Sequence, residues 1–503
     1  MHRGVAIVLA SFLAVSTASA HQAVDPRILG LVPDRPADEI RKPDGTLDNP
    51  GRIRRGREIF GTPFGLKGND RDCFSCHPPT NNFTIDPAFI ATLPPSDPLF
   101  INERIPRLAF LENSALLRNF GLICENLDGF DMPCVFRSVP HTFALRTSIT
   151  PDAGTATRPP FPLKNATGLS GDGAPNDGAF INFFLGAVVQ HETGDEERIP
   201  GKSFRLPSKQ QLQQAALFQL SLGRQSDISL DGDDGQPTLV FADPHAEAGR
   251  ALFVGGVAGR AGVIRSCNGC HDDAGANDSA GNNRLFDTGV ARHPSAPVCR
   301  NPVAPGDGGF GPVPVVAATI CSPPGSATFR GNGQFNTPPG LEAADSGPWF
   351  HNNIIGISDK LFDQQIERAI EFYTTDTFND SPSGGGNAFV FVQAQVDQIG
   401  ALLRALNARE NVRNAIVVTT RAVSEPKARG DASIREARSE VLDALRVLQQ
   451  APLPLYAGTN IVPLLTQAGA AQLQAIGQNG NVRKAALNTA VARLRQVQPQ
   501  FTQ

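Results

Sequence analysis

The chain has 503 residues, 40% of them hydrophobic, with 45 lysines and arginines against 49 aspartates and glutamates, for a net charge of −4. So near-neutral a balance over this length argues against nucleic acid as a partner. The length allows two or three domains with cores of their own.

The N-terminus reads as an export signal. Met1-His2-Arg3-Gly4 precedes an apolar run from Val5 to Val15, and Ala18-Ser19-Ala20 forms an A-x-A cleavage pattern. Residues 1–20 are therefore expected to be removed, which points to the bacterial periplasm. No other run reaches membrane-spanning length. Residues 21–50, rich in Pro, Asp and Arg, read as an extended leader.

Residues 51–225 are organised around Cys73-Phe74-Ser75-Cys76-His77. The pattern C-x-x-C-H is the attachment signature of a c-type haem: two thiols one helical turn apart add to the vinyl groups, and the histidine binds the iron. The competing reading is half of a zinc site, which also uses C-x-x-C spacing. A second complete copy, Cys267-Asn268-Gly269-Cys270-His271, favours two covalent c-type haems. The other four cysteines are Cys124, Cys134, Cys299 and Cys321, and an oxidising compartment lets them pair. Of three pairings, Cys124–Cys134 with Cys299–Cys321 keeps each bridge inside one haem domain.

An internal repeat accompanies the two motifs. Gly56-Arg57-Glu58-Ile59-Phe60 lies 17 residues before Cys73, and Gly249-Arg250-Ala251-Leu252-Phe253 lies 18 before Cys267. Each marks a helix leading into a haem loop. Val139-Pro140-His141-Thr142 and Asn336-Thr337-Pro338-Pro339 fall at similar offsets downstream. Each half then carries an amphipathic helix, with Phe180, Phe184, Ala187 and His191 on one face in the first and Phe362, Ile366, Ile370 and Tyr373 in the second. Leu212–Leu222 closes the first half, Ser226–Pro237 is the linker, and Val396–Asn407 closes the second half, which spans residues 238–408. Arg409–Gln503 lacks Cys and His and has helical periodicity at Ile434, Ala437, Val441, Leu445 and Leu448, and again over Val482–Val497. The expected fold is mainly α: two cytochrome-c-like haem domains related by the repeat, joined by long loops, plus a C-terminal helical extension.

The sixth iron ligand separates electron carriage from chemistry, because an iron open on one side can bind peroxide or oxygen. Methionine, the usual high-potential ligand, is reduced to Met132 in the mature chain, beside Cys134. The chain also holds 31 phenylalanines but only 2 tyrosines and 1 tryptophan, a composition that thinning of oxidisable side chains around a strongly oxidising centre would produce and that lineage bias would produce equally.

The two haem halves, the G-R-x-[IL]-F helix before each motif, and Gly347-Pro348-Trp349-Phe350-His351-Asn352 followed by a helix ending Glu371-Phe372-Tyr373 together resemble the bacterial dihaem cytochrome c peroxidase and MauG superfamily over residues 50–408. The resemblance implies a peroxide-reacting N-terminal haem and a C-terminal relay haem, with calcium (Ca2+) between the halves. It places Tyr373 where MauG-like members ligate iron and His351 in the second haem pocket; Trp349, beside it in the same stretch, is read as a haem-binding residue of that half, whereas the family's bridging tryptophan lies in the first. In the first half it points to Gln190-His191-Glu192 as the acid–base group that helps break the O–O bond. His191 could instead bind iron, and His141 is a second candidate. Two features depart from the family pattern: no histidine lies between His77 and His141 to cap the iron, and Ser170-Gly171-Asp172-Gly173 stands where the family has a tryptophan.

The reading is a periplasmic cytochrome-c-peroxidase-like oxidoreductase that takes hydrogen peroxide and draws electrons from a small redox protein. A MauG-like enzyme oxidising a protein substrate, an oxygenase of the rubber-cleaving type, and a non-enzymatic electron carrier are the alternatives.

Overall fold

The computed structural model describes residues 50–126, 130, 134–143, 145, 180–224, 228–232, 235–278, 284–293, 306–309, 314–315, 329–330, 333–356 and 365–503. The expected signal peptide, nearly all of the leader, Met132, Ser170–Gly173, Phe362 and the Cys299–Cys321 pairing lie outside them. The fold is mainly α, about half helical with few and short strands. Among the described residues no helix is long and apolar enough to cross a membrane.

The principal helices are α1 (Pro50–Phe60), α2 (Phe180–His191), α3 (Lys209–Leu220), α4 (Pro244–Gly255), α5 (Gln393–Ala422), α6 (Lys427–Gln449), α7 (Ile461–Ala475) and α8 (Gly480–Val497). Local chemistry sets their starts. Ser208 and Gln211 form a reciprocal capping box on α3. Asp243 accepts from the backbone N–H groups of His245 and Ala246 ahead of α4, with Pro244 in the first turn.

Two helix crossings position the two motifs, and they are built alike. In the first, α1 crosses α3 so closely that a Cβ on Gly56 would stand 1.9 Å from the Gln214 carbonyl oxygen. In the second, α4 crosses α5, and a Cβ on Gly249 would stand 1.9 Å from the Gln398 carbonyl oxygen. Only glycine permits such an approach. Phe60, Phe64, Phe83, Phe184, Val188 and Phe218 pack beneath the first motif, with Phe74 of the motif against them.

Helix α2 carries the four residues Phe180, Phe184, Ala187 and His191, but it is not one-sided. Phe184, Leu185, Val188 and Val189 are all buried, whereas Ala187 is only half-buried. The amphipathic pattern expected with Phe180, Phe184, Ala187 and His191 on one face is thus corrected over Phe184–His191, where burial extends to Leu185, Val188 and Val189 as well. In the second half the described helix is a short one, Glu367–Phe372, with Tyr373 as its C-cap.

Strands β1 (Leu122–Glu125) and β2 (Val135–Ser138) form an antiparallel hairpin in which Leu122 faces Ser138 and Glu125 faces Val135. A disulfide joins Cys124 to Cys134 across it. The hairpin also ties the halves together, since Phe136 pairs with Gly306 in a parallel bridge and the Ser138 N–H donates to the His351 carbonyl at 2.6 Å.

Helix α5 passes through residue 408 without a break and continues to Ala422. Helices α6, α7 and α8 pack on it and on one another, sharing a core with the second half that includes Val441, Leu448, Leu465, Leu494 and Phe501. Asp243 accepts from the Tyr456 backbone N–H at 2.6 Å. The segment read as a linker is packed where it is described: Ile228 and Leu230 are buried, and the Leu230 N–H donates to the Asp273 carboxylate.

Candidate functional site

The two C-x-x-C-H turns have nearly the same backbone. The His77 N–H donates to the Cys73 carbonyl at 2.8 Å, and the His271 N–H donates to the Cys267 carbonyl at 2.9 Å. His77 has φ −119° and ψ 59°; His271 has φ −118° and ψ 65°. The first turn is started by Asp72, whose carboxylate accepts from the Ser75 N–H while the Ser75 hydroxyl accepts from the Asp72 N–H. None of the four motif cysteines is joined in a disulfide, unlike Cys124 and Cys134.

Each imidazole has a backbone carbonyl against Nδ1, and the His271 ring has the Pro338 carbonyl beside it as well. His77 Nδ1 meets the Phe83 carbonyl at 2.7 Å, and His271 Nδ1 meets the Gly275 carbonyl at 3.3 Å. A backbone carbonyl on Nδ1 fixes that nitrogen as the N–H and leaves Nε2 to act as a metal ligand. Burial pushes His77 down to about 4, against the opposing pull of the Phe83 carbonyl, and the imidazole is therefore neutral near pH 7. Among the described residues no group of three or more His, Cys, Asp or Glu side chains is arranged to hold a metal ion. The four-ligand set of a zinc site is thus missing around either turn among those residues, while two thiols and a presented imidazole fit a covalent haem. No calcium position is assigned.

Around the first turn the structure gathers a buried polar cluster. His191 Nε2 lies 3.0 Å from Glu125 Oε1, and His191 Nδ1, buried and without a hydrogen-bond partner, lies 3.9 Å from Glu112 Oε1. Gln190 Nε2 donates to Glu125 Oε2 at 2.8 Å, and Gln190 Oε1 accepts from the Asn126 N–H. Glu112 in turn accepts from Arg71 Nη1 at 3.0 Å and from the Cys124 N–H at 2.8 Å. Burial alone would raise Glu125, but the facing His191 and the nearby Arg137 and Gln190 outweigh it and hold its carboxyl below the ordinary value. Glu112 goes the other way: burial raises it more than Arg71 and His191 lower it.

Glu192 is separate from this cluster. It turns away from His191, accepts from the Phe64 N–H at 2.6 Å and lies 3.9 Å from the Cys73 sulfur. Burial pushes it up to about 8, with Asp72 adding to the effect and the Phe64 N–H opposing it. The three residues of the Gln190-His191-Glu192 run are therefore split between two places beside one motif. His141 is held below its ordinary value, to about 4, by burial and by the proximity of His77, and its Nδ1 has no hydrogen-bond partner.

The second turn has a different neighbour. Tyr373 is raised above the ordinary tyrosine value by burial, with the Cys270 and Cys267 sulfurs close enough to add to it. Its ring is caged by Phe378 at 5.1 Å, Phe372 at 5.6 Å, Phe350 at 6.1 Å and Phe389 at 6.3 Å. Trp349 is buried, its indole N–H donating to the Ala343 carbonyl at 2.9 Å. His351 stacks on Phe335 at 3.6 Å, on the seam with the first half.

Sequence alone does not single out Glu112, Glu125 and Arg71. The available signal is a carboxylate directly after a paired cysteine in the apolar run Leu122-Ile123-Cys124, and it acquires meaning only once the hairpin meets α2.

No family model matches the chain, and no curated protein matches it. Among solved structures, the crystal structure of the diheme peroxidase BthA from Burkholderia thailandensis E264 aligns with 18% identity over 71% of this chain and 86% of that one, with a TM-score of 0.35. A likeness that distant carries no weight in assigning the site, which rests on the geometry above.

Proposed function

We propose that the protein is a periplasmic dihaem c-type oxidoreductase that reduces peroxide at its N-terminal haem and uses the C-terminal haem as an electron relay. Cys73, Cys76 and His77 would hold the first haem, and Cys267, Cys270 and His271 the second. Tyr373 would close the second iron, with Trp349 and His351 lining that side. The observation that carries the reading is the asymmetry between two otherwise matching turns. A phenol stands near the sulfurs of one; a buried imidazole–carboxylate cluster stands beside the other. The matched crossings at Gly56 and Gly249 support a repeat of one haem-binding unit.

When bound, the first haem would supply the iron at which hydrogen peroxide is reduced. The chain's own part is proton management. Peroxide reduction to water consumes two protons and needs a group that takes the proton from one oxygen and returns it to the other. His191 is suited to that transfer, with Gln190 bracing its carboxylate partner. Glu192, kept protonated near neutral pH by burial, would hold a proton beside the Cys73 edge. Electrons would come from a small redox protein.

The test is the holoprotein itself. Haem content should be two per chain, and the ferric spectrum should show a high-spin band that peroxide alters. Steady-state peroxide reduction with a small cytochrome or copper protein as donor should follow. Two low-spin haems unmoved by peroxide would instead make the protein an electron carrier, with His191 on the first iron.

A further inference from the structure

We propose that Glu125 is a positioning residue of the first centre: its carboxylate fixes His191 in the tautomer whose free base is Nδ1. The inference rests on reading that centre as the peroxide-binding haem site. An ionised carboxylate only accepts, so at 3.0 Å the His191 Nε2 must be the N–H. The lone pair of the neutral ring is then on Nδ1, which is buried and has no hydrogen-bond partner. An imidazole whose one nitrogen is held by a carboxylate and whose other is free is the base-and-orienter arrangement of general acid–base catalysis.

The surroundings keep Glu125 in that role. Gln190 Nε2 donates to its second oxygen at 2.8 Å, and the Arg137 guanidinium lies near enough to favour its charge. The backbone that carries Glu125 is held by the Cys124–Cys134 disulfide and by the Cys124 N–H on Glu112, and its carboxylate by Gln190 and His191. On the Nδ1 side Glu112 stands 3.9 Å away, too far for a hydrogen bond and already engaged by Arg71 at 3.0 Å. The charged and titratable groups facing His191 are thus Glu125, Glu112 with Arg71 behind it, and His77 across the motif. Only the first makes a hydrogen bond to the ring.

Cyanide is the probe that reads this without turnover. It reaches ferric haem as HCN and binds as the anion, so the proton must pass to a nearby base. Glu125→Gln keeps size and shape but can donate through its amide, which removes the demand for an Nε2–H tautomer. The holoprotein carrying Glu125→Gln should keep two haems and the wild-type ferric spectrum, yet bind cyanide at least about tenfold more slowly, a magnitude typical of losing a carboxylate that orients a histidine. Glu125→Asp, which restores the charge, should recover much of the rate, and His191→Ala should be slower still. Wild-type cyanide kinetics in Glu125→Gln alongside slow binding in His191→Ala would overturn the role of Glu125 and leave the haem-site reading intact. Failure of the wild-type ferric protein to bind cyanide at all would overturn both.

Discussion

Glu436 of α6 meets Arg57 of α1 at 2.6 Å, and this pair ties the C-terminal helices to the first C-x-x-C-H turn. The Arg57 guanidinium lies over the ring of Phe74, inside the motif, at 5.5 Å, and over Phe218 at 5.8 Å. Glu436 is almost wholly buried and is also approached by Arg421 at 3.4 Å. Removing its charge would leave Arg57 in a largely dry place without a counter-ion. Glu436→Gln should therefore cost about 3 kcal/mol of unfolding free energy, read as a lower urea midpoint. The neighbouring surface pair, Arg429 with Glu58 at 3.3 Å, is the control: both side chains are well exposed, and Glu58→Gln should cost no more than about 1 kcal/mol.

Deleting residues 409–503 should abolish the native fold rather than trim it. The cut would fall within α5, which runs Gln393–Ala422. It would uncover the buried Leu402, Leu406 and the apolar face that packs on Val441 and Leu448. It would also strip Arg404 of the Val447, Gln450 and Leu453 carbonyls that receive its guanidinium. The expected product is insoluble or lacks a cooperative thermal transition; a soluble, cooperatively melting fragment would show the extension to be dispensable.

A group of carboxylates at the same junction, Glu342 and Glu440 buried and Asp443 half-buried, predicts how stability varies with pH. Burial raises Glu342 and Glu440 well above the ordinary value and pushes Asp443 from 3.8 to about 7, each helped by the neighbouring acids. A carboxyl raised on folding holds its proton more tightly in the folded state. Its contribution is complete below the unfolded value and is lost as pH rises through the folded one. Stability should therefore fall from about pH 4 towards pH 7 and above, by on the order of a few kcal/mol. Urea midpoints at pH 5 and pH 8 measure it, and Glu342→Gln should flatten the difference by stabilising the protein at pH 8.

What the sequence made legible was whatever depends on neighbours along the chain. The two motifs, the helices ahead of them and the periodicity of α6 and α8 are local patterns, and the structure has helices there. The Cys124–Cys134 bridge was legible too, ten residues apart and within one half. The face of α2 was not, because burial from several sides erases the one-sided pattern that a period of 3.6 reveals. The continuity of α5 through 408 was hidden by a change of composition without a helix breaker. The Glu112–His191–Glu125 cluster unites residues from three separate segments, and no spacing rule predicts that meeting.

Tyr373 gives a prediction specific to one centre. Its ring sits among Phe350, Phe372, Phe378 and Phe389, so Tyr373→Phe keeps the packing and should leave the melting temperature nearly unchanged. If the phenol closes the second iron, the ferric low-spin signal should change and the first centre's response to peroxide-like ligands should not. An unchanged low-spin signal in Tyr373→Phe would remove Tyr373 from the ligand set.

The two helix crossings offer the sharpest check on the likeness between the halves. At Gly56 an added methyl would meet the Gln214 carbonyl oxygen at 1.9 Å and Phe218 Cβ at 2.8 Å; at Gly249 it would meet the Gln398 carbonyl oxygen at 1.9 Å and Leu402 Cβ at 3.1 Å. The obstacle in both cases is backbone of the crossing helix, which cannot swing aside as a side chain would. Gly56→Ala and Gly249→Ala should each cost about 3 kcal/mol, towards the upper end for overpacking. At Gly255, at the end of α4, an added methyl would have nothing within 4 Å, so Gly255→Ala should be neutral or slightly stabilising. The damage should also be local. Helix α1 supports the first turn through Phe60 against Phe74 at 5.3 Å, while the Phe253 carbonyl of α4 receives the Asn268 N–H of the second turn at 3.1 Å. Gly56→Ala should accordingly disturb the spectrum of the first haem and Gly249→Ala that of the second; equal disturbance of both by either variant would mean that the two crossings do not serve separate centres.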